Sequence, residues 1–353
     1  MSLRVVSVAY PYSPVAPDTV GGAEQVLATI DAELTRQGDC SIVIAHQDSV
    51  VQGKLIRTTV PSGAITSDLR RCTLRQHQAN LDRVLALYDV DVVHLHGFDF
   101  YELVIPPHIP VLVTLHMPLS WYPERIWDSL FTRYHFQCVS HSQRATFPAR
   151  GCDVYVIENG VGLSSRSAAK TRRNYALALT RVCPEKNVHA ALDAGTLAKI
   201  PVLVGGAVFP YEEHQRYFRE QVEPRLVGGH RFLGRLELWR KARLLREAQC
   251  LLVPTLAPET SSLVAMESLA AGTPVVAFPS GALPEIIEDG RTGFLVTSVR
   301  EMAQAMRHVH ELNPANCQAV AEQRFSSKRM LAGYMDFYRR VVTSAQRSHV
   351  FVS

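Results

Sequence analysis

Short apolar runs alternate along this chain with helix-forming stretches, and that alternation restricts the fold more than any other feature. Residues 5–9, 41–45, 92–95, 111–115, 136–140 and 155–157 each read as a buried strand. A helix with Val26, Ile30 and Leu34 on one face ends at Gly38. A second series of strands covers 175–179, 201–204, 231–233, 251–253 and 275–278. Strand, helix, strand in repetition makes βαβ units, hence parallel sheets covered by helices on both faces. Between the two series, residues 164–174 are polar and charged and read as a connection. With 353 residues the chain is long for one compact domain and natural for two. Open α/β sheets take ligands at the carboxyl ends of their strands, and a cleft between two such domains is the default site.

Composition excludes several classes. Apolar residues make up 47% of the chain and charged residues 20%, as in ordinary soluble proteins. A net charge of +4 is too small for a nucleic-acid binder. The seven cysteines are scattered without a C-x-x-C pair, which fits a reducing cytosol and argues against a disulfide framework or a structural zinc. No apolar run is long enough to span a bilayer, and the start of the chain reads as a first strand and not as a secretion signal.

The most specific stretch is 258–276. Glu259 precedes a helix and Glu267 lies inside it; Gly272 fits the left-handed position after its end, and Pro274 follows. A helix opening on Ser261 and Ser262 offers free backbone N–H groups to an anion. Carboxylates before that helix and two turns along it suit opposite ends of a long phosphorylated ligand, such as a sugar nucleotide. A glycosidase pair is disfavoured, because its carboxyls stand about 5 to 9.5 Å apart, whereas eight helical residues span roughly 12 Å. Arg181 and Lys186 lie in the loop after the first strand of the second series and can hold a diphosphate, the arginine in bidentate geometry.

In the first half, Gly21 and Gly22 open a helix; they either let an anion approach the backbone or are a plain flexible start. His116 follows a buried strand and is either a hydrogen-bond partner for a sugar hydroxyl or reacting oxygen, or structural. His94 and His96 share a face; no third metal ligand is evident, and a structural or site-lining role is expected. His141 is a weaker candidate at a strand end.

These features recur as an ordered series: Gly21-Gly22-Ala23-Glu24, Val90-Asp91-Val92-Val93-His94, Thr114-Leu115-His116 and Ile157-Glu158-Asn159-Gly160-Val161 in the first half. Arg181 with Pro184-Glu185-Lys186, Phe232-Leu233-Gly234, the Glu259/Glu267 pair, Ala271-Gly272-Thr273-Pro274-Val275-Val276 and two glycine-led segments at 281–287 and 290–296 continue it. In these motifs, over nearly its whole length, the chain resembles the retaining glycosyltransferases of family 4, which have the GT-B architecture. The resemblance implies two doubly wound Rossmann-like α/β domains facing a cleft. The expected bounds are 1–162 for an acceptor-side domain and 163–333 for a nucleotide-sugar donor domain, with a final helix, 334–353, crossing back to the first.

By the same resemblance, Arg181 and Lys186 neutralise the donor diphosphate, and the backbone of Ser262, Leu263 and Val264 binds its oxygens, with Ser261 beside the sugar. Glu267 accepts from the ribose hydroxyls, Glu259 sits by the donor sugar, and Arg231 to Leu233 hold the base. Gly21 and Gly22 approach the phosphate, and His116 stands near the sugar. The implied reaction transfers a hexose-type sugar, UDP-linked by family frequency, to an unidentified acceptor hydroxyl with retention. It uses no metal, no other cofactor and no protein nucleophile. Two departures bear on the donor sugar: Thr180 replaces the usual glycine before the arginine, and Thr260-Ser261-Ser262 replaces Gly-Phe-Gly. Alternatives are a nucleotide-sugar-binding partner subunit without activity, or an epimerase of the same architecture. The acceptor stays open among glycan, lipid-linked sugar and natural product. Trp121, Tyr122 and Trp127 either stack on a sugar or belong to the core. Arg70, Arg71 and Arg75 either touch an anionic membrane surface or form a solvated helix face. The expected location is cytoplasmic, including the inner face of the membrane.

Overall fold

The computed structural model describes residues 2–61, 63, 65–130, 133–148, 154–163 and 172–350; most of the expected connection at 164–174 lies outside them. The chain divides into unit 1, Met1–Glu158 with Met330–Ser353, and unit 2, Asn159–Arg329. The sequence reading placed these boundaries at 162/163 and 333/334.

Unit 1 holds strands β1 (Arg4–Val8), β2 (Cys40–His46), β3 (Lys54–Thr58), β4 (Val92–Leu95), β5 (Val111–Leu115), β6 (Tyr134–Cys138) and β7 (Tyr155–Val156). They form one sheet in the order β3-β2-β1-β4-β5-β6-β7, with parallel pairing throughout. Its helices are α1 (Gly22–Gln37), α2 (Ser67–Leu87), α3 (Arg125–Ser129) and α4 (His141–Ala145). Unit 2 holds β8 (Ala176–Leu179), β9 (Val202–Gly205), β10 (Arg231–Gly234), β11 (Leu251–Val253), β12 (Val275–Ala277) and β13 (Gly293–Leu295). They run parallel in the order β10-β9-β8-β11-β12-β13. Its helices are α5 (Val188–Ala198), α6 (Glu212–Tyr217), α7 (Leu238–Glu247), α8 (Leu263–Ala270), α9 (Leu283–Ile286), α10 (Val299–His308) and α11 (Pro314–Arg324). A last helix, α12 (Ser327–Val350), enters unit 1 from Met330 onward.

The strands missed by sequence are edges. β3 and β13 each pair on one side only, and their partly exposed side chains leave no continuous apolar run. Central strands are buried on both faces, which is why they read as unbroken apolar stretches. In β8, Leu177 and Leu179 enter the core beneath α8 and α11, while Ala176 and Ala178 enter the core with α5 and α10. Both expected helix ends hold. Gly38 adopts φ 81° and its N–H reaches the Leu34 and Thr35 carbonyls. Gly272 adopts φ 76° and donates to Leu269 O at 2.8 Å. An L-residue with a Cβ is strained there, so glycine stops each helix.

Unit 1 differs in one respect. One face of its sheet is apolar, with Val6, Val8, Val93, Leu95, Val113 and Phe136 in a single core. The other carries a fully buried polar row: Ser7, His94, Thr114 and Gln137. From helix α12 the wholly buried Tyr334 and Tyr338 reach His94, Thr114 and Gln137 of that row.

Candidate functional site

In each sheet the strand order reverses once, at β1/β4 and at β8/β11. Such switch points open a crevice at the carboxyl ends of the strands. In unit 2 the loops after β8 and β11 therefore lie side by side. Their backbones are joined: Leu256 N–H donates to Glu185 O at 2.9 Å, and the Thr255 hydroxyl reaches the same carbonyl at 3.3 Å.

That junction brings Lys186 against Glu259, 73 residues later, in an ion pair whose side chains are 19% and 13% exposed. Glu259 is held by its backbone. Ala282 N–H donates to Glu259 O at 2.7 Å, and Ser280 Oγ donates to Ala257 O at 2.8 Å. Gly281 sits at φ 57° directly against the Glu259 backbone, where a Cβ would collide with it. Arg181 lies at the start of the same loop, its guanidinium 5.8 Å from the centre of the Phe209 ring.

Beside this pair stands the N-terminus of α8. Ser262 occupies the cap position, and its side chain makes no capping hydrogen bond. The first-turn N–H groups have no intrahelical acceptor, so they favour an anion. Ser261 Oγ is buried with no hydrogen-bond partner among the described residues, a polar atom of the kind a ligand satisfies. Glu267, one turn along α8, is paired with Lys241 of α7 at 2.6 Å. Lys241 escaped the sequence reading because it is one of several cations on a basic helix. Arg231 opens β10 and is exposed, and Leu233, nearer the carboxyl end, is partly exposed; β10 lies two strands from β8, whose following loop carries Lys186.

In unit 1, Gly21 caps α1 and Gly22 is exposed. The Glu24 carboxylate packs back over the helix start, close to Gly21. His116 Nε2 lies 3.1 Å from His96 Nδ1, and His96 Nε2 lies 3.0 Å from His94 Nδ1. His94 reaches Thr114 Oγ1 and Tyr338 Oη, each at 2.7 Å. The direction of this chain follows from its far end. Gln137 Nε2 donates to the Cys138 and Ile157 carbonyls, so its Oε1 accepts from Thr114 and Tyr334. Thr114, having donated, accepts from His94 Nε2–H. His94 Nδ1 then accepts from Tyr338 and His96, and His96 Nδ1 accepts from His116 Nε2–H. All three rings are neutral, because burial holds His94 and His96 well below the ordinary histidine range and His116 at about 3. His94 and His96 are thus structural, and His116, protonated on Nε2, carries its acceptor lone pair on Nδ1.

Other candidates divide between core and surface. Tyr122 and Trp127 belong to the apolar core with Phe100 and Phe136, whereas Trp121 is 48% exposed. Arg70, Arg71 and Arg75 are exposed on α2, and His141 is exposed at the start of α4. No helix of the described residues is long and apolar enough to cross a membrane.

Two doubly wound units, one with an ion pair at its strand-order switch point beside a helix N-terminus, define a two-domain Rossmann-like α/β protein. Residues 20–165 match the model of Glycosyltransferase Family 4, and residues 173–311 that of the glycosyl transferases group 1. The chain belongs to the family 4 glycosyltransferases, of GT-B architecture. A phosphatidyl-myo-inositol mannosyltransferase of Mycobacterium leprae (strain TN) is 28% identical over 232 residues, 59% of this chain and 60% of that protein. Sucrose-phosphate synthase of Thermosynechococcus elongatus shares the fold with a TM-score of 0.81 at 17% identity, covering 97% of this chain and 100% of that one. Anabaena HepE, crystallised with UDP and glucose, gives 0.74 at 18% identity over 95% and 99%.

Proposed function

We propose that the chain transfers a hexose-type sugar from a nucleoside-diphosphate donor, UDP-linked, to an acceptor hydroxyl. One observation carries the reading: the Lys186–Glu259 ion pair at the switch point of unit 2, beside the N-terminus of α8, where the Ser262 side chain makes no capping bond. In this reading the α8 N–H groups, Arg181 and Lys186 receive the diphosphate. Lys186 has three donors and can keep Glu259 while it meets phosphate. Glu259 then stands by the sugar, Glu267 accepts from the ribose, and Ser261 Oγ finds a partner in the donor. Arg231 to Leu233 meet the base through their backbone. Gly21, Gly22 and His116 of unit 1 are the anion- and hydroxyl-binding groups of the acceptor half, His116 accepting through Nδ1.

Cations and helix dipole aimed at the leaving group gain strength as negative charge builds on it, which lowers the barrier. Removing one such contact costs roughly 3 kcal/mol, about a hundredfold in rate. The departing phosphate takes the acceptor proton on the same face, giving retention without a protein nucleophile and without a metal at the phosphate. The UDP and glucose bound by Anabaena HepE support the donor assignment. The phosphatidyl-myo-inositol named for the mycobacterial relatives supports an acceptor at a lipid surface, to which the exposed arginines of α2 are suited.

The test is thermal unfolding of the purified chain with UDP, GDP, ADP, TDP or NAD. A nucleotide at about 100 times its dissociation constant stabilises by roughly 2.7 kcal/mol. One diphosphate is expected to raise the midpoint, and Lys186→Ala and Glu267→Ala to abolish the rise. A response to NAD alone, or to none, overturns the reading.

A further inference from the structure

Cys183 and Glu185 flank Pro184 in the turn that follows Arg181 and precedes Lys186. His214 stands on α6, which follows β9, the neighbour of β8. Parallel pairing of β8 and β9 puts both following loops at the same end of the sheet, and there the three side chains converge. A sulfur, a carboxylate oxygen and an imidazole nitrogen lie within 4.8 Å of one another.

The cluster is enclosed. Cys183 is 0% and His214 9% exposed, and Glu185 is partly buried. The rings of Phe209 and Tyr211 pack against the His214 ring, at 6.3 and 5.1 Å between centres. His214 Nδ1 is buried with no hydrogen-bond partner among the described residues. An unsatisfied buried polar atom is destabilising, so a partner is expected.

The donor set decides which partner. Thiolate, imidazole and carboxylate together suit a borderline-soft divalent ion, and a thiolate disfavours magnesium or calcium. Ligands about 2.0 to 2.3 Å from a zinc ion in tetrahedral geometry stand roughly 3.3 to 3.8 Å apart. Side-chain rotation closes the remaining gap from 4.8 Å. We propose that Cys183, Glu185 and His214 form a site for one Zn2+ ion, completed by water, which ties the Arg181–Lys186 loop to α6. On binding, the sulfur–hydrogen bond breaks, a sulfur–zinc bond forms, and the proton leaves to solvent. Thiolate and carboxylate then balance the two charges of the ion. The scattered cysteines argued against structural zinc only because the spacing rule looks for cysteine pairs, whereas this set is assembled from two loops.

The experiment is equilibrium dialysis of the EDTA-stripped, refiltered full chain against Zn2+ alone, with Co2+ as a spectroscopic substitute. One equivalent of Zn2+ is expected to bind at micromolar or lower concentration and to raise the unfolding temperature. Co2+ is expected to give a sulfur-to-cobalt charge-transfer band in the near ultraviolet. Cys183→Ser, nearly isosteric, is expected to remove that band, and His214→Gln and Glu185→Gln to abolish stoichiometric binding. Cys72→Ser, which removes the exposed thiol of α2, is expected to change neither. If Cys183→Ser does not fold, the His214 and Glu185 variants decide the question. No stoichiometric binding by the folded stripped chain, or a cobalt band that survives Cys183→Ser, overturns the proposal.

Discussion

Glu259 is placed by a neighbour that has no side chain. Gly281 crosses its backbone at φ 57°, and Ala282 N–H then reaches the Glu259 carbonyl. Gly281→Ala brings a Cβ into that carbonyl and into a left-handed backbone, which costs about 1 to 2 kcal/mol before any collision. The expected result is a lower unfolding midpoint together with a nucleotide shift reduced or lost; unchanged values for both would contradict this placement. At this scale the sequence was informative where a residue's role depends on local geometry. Gly38 and Gly272 were readable as helix stops because the αL position is a property of three or four neighbouring residues. Lys241 was not readable, since its partner Glu267 lies 26 positions away on another helix. Nor was the burial of Tyr122 and Trp127 against Phe136, which separates them from the exposed Trp121.

Helix α12 shows the same division at the scale of an element. Apolar residues stand at helical spacings in its sequence at Leu331, Tyr334, Phe337, Tyr338 and Val341; Leu331 is partly buried and the other four are buried. What that face covers was not visible: buried polar side chains on β4, β5 and β6, where the Tyr338 hydroxyl donates to His94. Two contributions are therefore separable. Tyr338→Phe removes one hydrogen bond, and the expected loss is about 1 kcal/mol. Tyr338→Ala also removes a packed ring, and the expected loss is about 3 to 5 kcal/mol. Chemical denaturation with both variants measures the difference, and equal losses would show that the hydroxyl carries the whole effect.

For the whole molecule, unit 1 concentrates buried neutral histidines: His77 at about 4, His116 at about 3, and His94 and His96 well below 6.5. Their folded values lie below the unfolded one, so the stability they contribute is complete above about pH 6.5. It falls as the pH drops toward 4, because the unfolded chain takes up protons that the folded unit refuses. Each histidine loses roughly 1.4 kcal/mol per pH unit in that window. Asp99 works the other way, since burial raises it to about 6 from 3.8, but it is one group against four. The unfolding midpoint is expected to drop steeply between pH 6.5 and 4.5; a flat profile would mean that these rings are protonated in the folded state.

The amino-acid order by itself determined two α/β halves, the ends of their helices and the loops that carry chemistry, because hydrophobic periodicity, glycine geometry and motif order are local properties. Which charged groups meet was decided only by tertiary structure. Strand order sets Lys186 against Glu259 and brings Cys183 and Glu185 of one loop to His214 of α6, because a parallel sheet brings successive strand ends together whatever their distance along the chain.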